Sequence, residues 1–262
     1  MKKFFKINAI LFRNAWIRDS KISGFIISNI IAQFFDLLAS LALIGIIFLQ
    51  TETIGGWNVY QTLFLLSFIQ LIATIHSCWT KSGSNTFAYE LVRQGDYDFY
   101  LTKPFDSMIL VTISKPRVYP VAKIIFEILV MAYALNNLER LPMVNYFWFL
   151  ILFIFSLLTF YFLKVATIVP TFWTVRGWSL TAIMDKVVQL VKYPAAVYPR
   201  ILTIALSTVF PILVVSYLPV QSLLFEPKLT YIGYSMIITI VFATATRLLW
   251  RLGEKNYGSA SS

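Results

Sequence analysis

The sequence is poor in the residues from which most catalytic and metal sites are built. Its 262 residues include one cysteine, Cys78, and one histidine, His76. A lone cysteine excludes an intramolecular disulfide and a cysteine-based metal site, and a lone histidine excludes a histidine-rich zinc site. The two lie two positions apart, so on a helix they face different directions, and we expect both to be packing residues. The sequence therefore predicts a chain that is not itself catalytic.

Charge is also scarce. Charged residues make up 13% of the chain, apolar residues make up 58%, and the mean hydropathy is +0.74. A soluble domain usually carries about a quarter charged residues, so this chain lacks the polar surface that water requires. Roughly twenty apolar residues cross a bilayer as a helix. We predict a single all-α integral membrane domain, 1–262, with six transmembrane helices at about 24–49, 57–79, 119–135, 146–171, 201–220 and 229–249.

The placement of the basic residues explains the net charge of +10. Of the 22 lysines and arginines, 19 lie on one side, counting Lys123 and Arg247 just inside the span ends there. Only Arg140 and Lys228 fall on the other side, and Lys164 lies within a span. Basic residues remain on the cytoplasmic side, so both termini, the segment 80–118 and the tail 250–262 are predicted to be cytoplasmic. The charge marks orientation and contact with anionic lipid, and no nucleic acid partner is expected.

Two further segments lie outside the six predicted spans. Phe4, Ile7 and Leu11 share one helical face within 1–22, which predicts an amphipathic helix in the membrane interface; the alternative is a basic leader without lipid contact. Residues 174–199 are polar, yet Ile183 and Val187 begin an apolar repeat at helical spacing. An interfacial helix fits that segment best, and its placement stays open. In the predicted fifth span, Pro211 should produce a kink.

The segment 80–118 is predicted to fold into short helices. We expect one helix over 82–92, ended by Gly95 as a C-terminal cap. Asp96 should then cap a second short helix, which Lys103 and Pro104 interrupt. Such a chain makes a compact element and not a flexible linker.

Three charged residues fall inside predicted spans: Asp36, Glu127 and Lys164. Such groups are costly in a bilayer unless they are paired or hydrated. In one interpretation, one or both acids pair with Lys164 as structural links between helices; in the other, all three line a polar translocation path. Their spacing does not choose between these readings. None of the ten glycines lies in a Gly-x-x-x-x-Gly-Lys-Ser/Thr pattern, so the chain has no phosphate-binding loop for ATP.

The stretch 91–106 reads Leu-Val-Arg-Gln-Gly-Asp-Tyr-Asp-Phe-Tyr-Leu-Thr-Lys-Pro-Phe-Asp. It resembles the permeases of a branch of ATP-binding-cassette (ABC) exporters, which carry an Arg-x-Gly-x-Leu-Asp-x-x-Leu-x-x-Pro-like segment between their second and third spans. Tyr97 stands where leucine is usual. The six positions that the resemblance assigns to coupling are Arg93, Gly95, Asp96, Asp98, Leu101 and Pro104. Shorter matches occur at Phe172-Trp173, Tyr193-Pro194, Arg200, Pro211, 217–219 and the tail 257–262.

The resemblance implies the permease subunit of an ATP-driven exporter in a bacterial cytoplasmic membrane. Two ATPase subunits would bind ATP and Mg²⁺, and a second permease, identical or similar, would complete the path. The segment 80–118 would hold the coupling helix, the N-terminal helix would be a connector, and spans one, two and five would rock. Amphipathic or lipid-like cargo is expected. The alternatives are an ion- or proton-coupled secondary transporter that uses Asp36, Glu127 and Lys164, and a membrane-embedded enzyme or scaffold.

Overall fold

The computed structural model describes residues 2–21, 23–174 and 178–258. Arg176 and the tail residues 259–262, like Met1 and Ile22 of the predicted connector, lie outside the described residues. The described chain is helical and contains no strand, which confirms the predicted all-α class. The helices are α1 (Lys2–Ser20), α2 (Ser23–Phe48), α3 (Val59–Trp79), α4 (Lys81–Thr86), α5 (Val92–Gln94), α6 (Asp98–Leu101), α7 (Ser107–Ile113), α8 (Val121–Asn136), α9 (Met143–Ile168), α10 (Trp178–Leu190), α11 (Arg200–Thr208), α12 (Ile212–Leu224) and α13 (Leu229–Asn256).

Within the described residues, four stretches of helix are long and apolar enough to cross a membrane. They cover Ile26–Phe48, Val59–Trp79, Met143–Phe172 and Leu229–Asn256, and they coincide with the first, second, fourth and sixth predicted spans. The third predicted span corresponds to α8, which at 16 residues is ~24 Å long and short for a crossing. Length and composition therefore do not by themselves reproduce the predicted count of six.

The predicted fifth span is not one helix. Over 201–220 the chain forms α11 and α12, which meet at a bend of 98°. The break lies at Pro211, which has no N–H for a helical hydrogen bond, and the preceding Phe210 N–H reaches back five residues to the carbonyl of Ala205. The predicted kink at Pro211 is confirmed, and it divides the predicted fifth span into two helices.

The two ends of the helix bundle can be told apart by their loops. At the end that holds residues 49–58, the ring of Tyr60 lies 6.1 Å from that of Tyr133, so α3 begins where α8 finishes. At the opposite end, which holds residues 80–118, the Arg117 N–H donates to the carbonyl of Cys78, 2.9 Å away. These ends are called the 49–58 end and the 80–118 end below.

The segment 174–199 runs along the bundle instead of lying across one end. Its helix is confirmed, as α10, and it packs antiparallel to α9: Thr181 contacts Thr167 and Asp185 contacts Lys164. The chain then reaches the 49–58 end, where a Cβ on Gly55 would lie 3.0 Å from that of Ala196. The packing of this helix along α9 was not predicted from the sequence, which favoured an interfacial helix and left the placement open.

The broken pair α11–α12 begins and ends at the 49–58 end. Its start follows the contact between Ala196 and Gly55. At its finish, the side-chain amide of Asn145, near the start of α9, donates to the carbonyls of Leu223 and Phe225 at 2.9 Å each. Trp57 packs beside the same finish, with its ring 5.3 Å from that of Phe225. The pair thus forms a hairpin that starts and finishes at the same end of the bundle.

The segment 80–118 is a folded unit, as predicted. One helical run covers Lys81 to Gln94, with a π-helical turn at Phe87–Leu91. It ends at Gly95, whose φ of +81° suits glycine and confirms the predicted cap. The predicted cap at Asp96 is wrong, because α6 begins at Asp98 without a side-chain cap. The capping aspartate is Asp106, whose carboxylate accepts the N–H of Ile109 at 3.1 Å at the start of α7.

Helix α1 lies at the 80–118 end. The guanidinium of Arg18 donates to the carbonyl of Pro116 at 2.7 Å, and Asp19 accepts the N–H of Val118 at 3.1 Å. Trp16 and Ile17 are exposed on this helix, at 64% and 47%. The predicted N-terminal helix is thus present, clamped by its last turn to the chain that leads into α8.

Candidate functional site

A polar cavity of about 650 Å³ opens between α2, α3, α4, α8, α9 and α10. Its walls combine apolar side chains such as Ile69, Ala73 and Phe160 with an unusual number of charges. The charged residues that line it are Lys81, Arg117, Lys123, Lys164, Lys192, Asp36, Glu90 and Asp185. Two of the three predicted intramembrane charges, Asp36 and Lys164, are therefore brought to one cavity.

The two predicted intramembrane acids are linked by a lysine. Lys123 Nζ lies 2.8 Å from the carboxylate of Asp36 and 4.0 Å from that of Glu127. Glu127 is fully buried and accepts the hydroxyl of Thr74 at 2.8 Å. These contacts join α2, α3 and α8, so Lys123, at the edge of the predicted third span, provides the cation for both acids.

Lys164 has a different partner from the one expected. Its ammonium pairs with Asp185 of α10, and Lys81 Nζ lies 3.5 Å from the same carboxylate. The expected pairing of Lys164 with Asp36 or Glu127 is wrong. The reason is the antiparallel packing of α10 on α9, which the sequence did not reveal because 174–199 read as an interfacial segment.

Two cavity residues were missed by sequence reasoning. Lys192 was assigned to the interfacial segment 174–199, yet its Nζ donates to the hydroxyl of Ser40 on α2 at 3.0 Å. Gln70 is only 7% exposed, and neither its amide nitrogen nor its amide oxygen has a hydrogen-bond partner. For Gln70, the available signal was a glutamine within the apolar run of α3.

His76 and Cys78 do not form a reactive or metal-binding pair. His76 Nδ1 lies 2.5 Å from the hydroxyl of Thr80, and its ring packs edge-on against Phe160. Cys78 is a buried free thiol. Within the described residues, no three His, Cys, Asp or Glu side chains gather in a way that would hold a metal ion.

The second candidate site is the dock between the segment 80–118 and the last turns of α13. Tyr97 is fully buried, and its hydroxyl donates to the carboxylate of Glu254 at 2.6 Å. Ser107 donates to the same oxygen, and so does the indole N–H of Trp250 at 3.1 Å. Burial and the bond to Glu254 raise the pKa of Tyr97, so its hydroxyl remains protonated as the donor.

Aromatic packing surrounds this hydrogen-bonded centre. The ring of Phe87 stacks on Trp250 with centroids 4.8 Å apart, and Phe172 meets Phe87 edge-to-face at 5.0 Å. Gly253 allows this approach, since a Cβ there would collide with the ring of Phe172. Tyr97, the departure from the family motif, is therefore the anchor of the element.

The residues assigned to coupling surround the anchor. Arg93, Asp96, Leu101 and Pro104 are exposed, whereas Gly95 and Asp98 are half-buried. Burial and the nearby charge of Asp98 raise the pKa of Tyr257, just beyond α13.

An apolar patch lies beside these residues, formed by Phe99, Leu101 and Phe105, which are 62%, 45% and 43% exposed. Lys103 Nζ sits 4.0 Å above the ring of Phe99. The element is thus fixed on its inner side and apolar on its outer side.

The sequence model of the ABC-2 family transporter proteins matches residues 34–261. The chain belongs to this family. No curated protein matches the chain, and no solved structure does. Family membership together with several long apolar helices identifies a multi-pass membrane protein. Family membership also implies an ABC transporter context with an ATPase partner. The membrane subunit of the ABC-2 family is generally not catalytic.

Proposed function

We propose that the chain is the permease subunit of an ATP-driven exporter and that the segment 80–118 couples it to the ATPase. The observation behind this proposal is how the segment 80–118 is held and what it exposes. The segment is tied to α13 through Tyr97 and Glu254 and presents Phe99, Leu101 and Phe105 outward. A rigid element with an exposed apolar patch suits the transfer of motion from a partner protein, because the patch supplies contact area and the anchor transmits displacement.

In this proposal the permease domain spans 1–262 and crosses the membrane six times. The crossings are α2, α3, α8, α9, the stretch from α10 to residue 199, and α13, with α11–α12 as a re-entrant hairpin. The contact of Ala196 with Gly55 supports the fifth crossing, and the ring contact of Tyr60 with Tyr133 supports the third. The helix α1, with exposed Trp16 and Ile17, suits the interfacial connector.

Charge supports a cytoplasmic position for both termini in a bacterial cell membrane. This topology moves Lys186 and Lys192 into a crossing and Arg200 to the outer side. Sixteen basic residues then remain inside against three outside, so the asymmetry persists. The 80–118 end faces the cytoplasm accordingly, where two ATPase subunits would hold ATP and Mg²⁺. A second permease, identical or similar, would complete the path.

Each of the six coupling positions has a role in this proposal. Gly95 permits the turn, and the exposed Arg93 and Asp96 are available for ion pairs with the ATPase. Asp98, half-buried beside Tyr257, steadies the element instead. Leu101 belongs to the apolar patch, and Pro104 ends the short helix region. The cavity, with Asp36, Lys164 and the adjoining Glu127, is the proposed polar part of the translocation path.

The experiment is recovery of the partner from native membranes. The tagged chain should co-purify an ATP-hydrolysing subunit, and the double variant Phe99→Ala/Leu101→Ala should lower that recovery at least about tenfold, the equivalent of ~1.4 kcal/mol. Met143→Ala/Leu229→Ala is the matched control, because both residues are exposed and lie at the 49–58 end. Absence of any ATPase, or equal recovery with both double variants, would contradict the proposal.

The ion-coupled alternative has less support. Asp36 and Lys164 each form an ion pair, and Glu127 holds the hydroxyl of Thr74. A secondary transporter would move cargo along a pH gradient without ATP, and the double variant Asp36→Asn/Glu127→Gln would stop it. ATP-dependent transport that survives this variant excludes the alternative.

A further inference from the structure

The cavity holds more basic than acidic side chains, and its bases differ in how they are neutralised. Lys123 is paired with Asp36, and Lys81 and Lys164 share Asp185. The remaining two, Arg117 and Lys192, have no carboxylate within 4.0 Å among the described residues. These two cations in the lining therefore form no direct ion pair among the described residues.

Lys192 is the more informative of the two because it lies away from the 80–118 end. Arg117 stands where α8 begins and donates to the hydroxyl of Ser82. Lys192 Nζ reaches Ser40, a buried residue of α2 whose own hydroxyl donates to the carbonyl of Asp36. An ammonium has three donors, and the serine oxygen takes one of them. The nearest acid, Asp36, is already paired with Lys123 at 2.8 Å. A charged amine inside a membrane bundle, with free donors and no carboxylate in direct contact, marks a place where an anion is favoured.

Gln70 is a second and independent indication of a ligand. It lines the same cavity from α3, is 93% buried and has no partner for either amide atom. An unsatisfied buried polar group costs about 1–3 kcal/mol, so such groups are normally partnered. A ligand with both hydrogen-bond donors and acceptors would satisfy both atoms of this amide.

Apolar side chains form a smaller part of the lining. Ile69, Ala73, Phe160 and Val188 contribute to the walls, and the neighbouring α2 carries exposed apolar residues such as Phe35 and Ile31 on its outer side. A volume of about 650 Å³ lies within the usual ligand range of about 300–1,000 Å³. A lining that combines charged and polar side chains with apolar ones suits a molecule that has a polar headgroup and a hydrocarbon chain.

We propose that this cavity binds the anionic oxygen headgroup of an amphipathic molecule, with Lys192 recognising the charge and Gln70 completing the hydrogen bonds. The ligand's role as exported cargo rests on the proposed permease function. The binding itself does not, because it uses residues of this chain alone.

The test is binding of short-chain lipids to the purified full chain in neutral maltoside micelles. Dihexanoyl phosphatidic acid should bind at least about tenfold more tightly than dihexanoyl phosphatidylcholine, whose headgroup carries a compensating cation. Lys192→Gln should remove that preference, and Lys192→Arg should keep it. Gln70→Leu should weaken binding of both lipids several-fold. Lys186→Gln is the matched control, since it removes the same charge from the exposed side of α10.

Two outcomes overturn the proposal. One is equal affinity for the two lipids, or a preference that persists in Lys192→Gln while that variant elutes and unfolds like wild type. The other is inorganic phosphate binding as tightly as the phosphatidic acid, which would indicate a site for a free oxyanion. Loss of ATPase co-purification leaves this measurement unaffected, so failure of the permease proposal and failure of this one are distinguishable.

Discussion

Glu254 and Glu127 are two carboxylates on helices of the same bundle, and their surroundings differ sharply. One oxygen of Glu254 receives hydrogen bonds from Tyr97, Ser107 and Trp250. Glu127 receives one from Thr74, and its second oxygen has no partner. The dock around Glu254 is saturated and packed with aromatic rings, whereas the cavity beside Glu127 is open and partly unsatisfied. We expect the dock to be rigid because the hydrogen-bonding groups that meet Glu254 are all partnered. The unpartnered polar groups of the cavity are the ones that the proposed ligand would satisfy.

The largest effect should come from removing the centre of the dock. Tyr97→Ala deletes a fully buried aromatic ring together with its bond to Glu254. We expect a loss of about 3–5 kcal/mol in the free energy of unfolding, measured by denaturant titration in mixed micelles. Phe105→Ala, on the same element but 43% exposed, is the control. Equal losses in the two variants would show that the dock is not the rigid region.

A smaller effect should follow from adding one methyl group where the segment 80–118 has no internal space. A Cβ on Gly83 of α4 would collide with the backbone carbonyls of Val111 and Thr112 on α7, and backbone cannot move aside as a side chain can. Gly83→Ala should therefore cost about 1–3 kcal/mol in the same titration. On Gly233 of α13, an added Cβ would have nothing within 4 Å. Gly233→Ala should therefore raise the free energy of unfolding by about 0.5–1 kcal/mol, because alanine lowers the conformational entropy of the unfolded chain. A stabilising Gly83→Ala would contradict the close packing of α4 on α7.

The smallest effect is expected in the cavity. Glu127→Gln keeps an oxygen for the hydroxyl of Thr74, and the other carboxylate oxygen has no partner to lose. Lys123 still pairs with Asp36 at 2.8 Å. The free energy of unfolding should therefore change by less than about 1 kcal/mol. A loss as large as that of Tyr97→Ala would mean that the cavity charges are structural links and that the two regions do not differ as described.

The helical fold and the compact 80–118 segment were accessible from sequence, but the course of α10 was not. Asp185 and Lys192 made residues 174–199 look too polar for a bundle position. Their charges are tolerated because Asp185 meets Lys164 and Lys192 meets Ser40. Both partners lie on other helices, so no local pattern announces them. The break at Pro211 was visible, but its size of 98° depends on how α12 packs against its neighbours.

The candidate sites also divide into residues that could be predicted from the sequence and residues whose roles depend on distant partners. Gly95 was predicted as a cap because a left-handed residue after a helix is a local requirement. Tyr97 looked like a mild departure from a motif, because its partner Glu254 lies 157 residues away. Gln70 and Lys192 were likewise passed over, since neither residue type signals a cavity until the opposing wall is in place.

Composition and periodicity alone established a helical membrane chain, its main apolar runs, the asymmetry of its basic residues and the turn at Gly95. These properties depend on residues close together along the chain, where hydrophobic spacing and backbone preference act directly. Tertiary structure alone decided that Lys164 pairs with Asp185, that α11 and α12 return to the end from which they start, and that Tyr97 anchors the 80–118 segment to α13. Those outcomes depend on which helix faces meet, and within a bundle that choice is made by packing between segments distant in sequence.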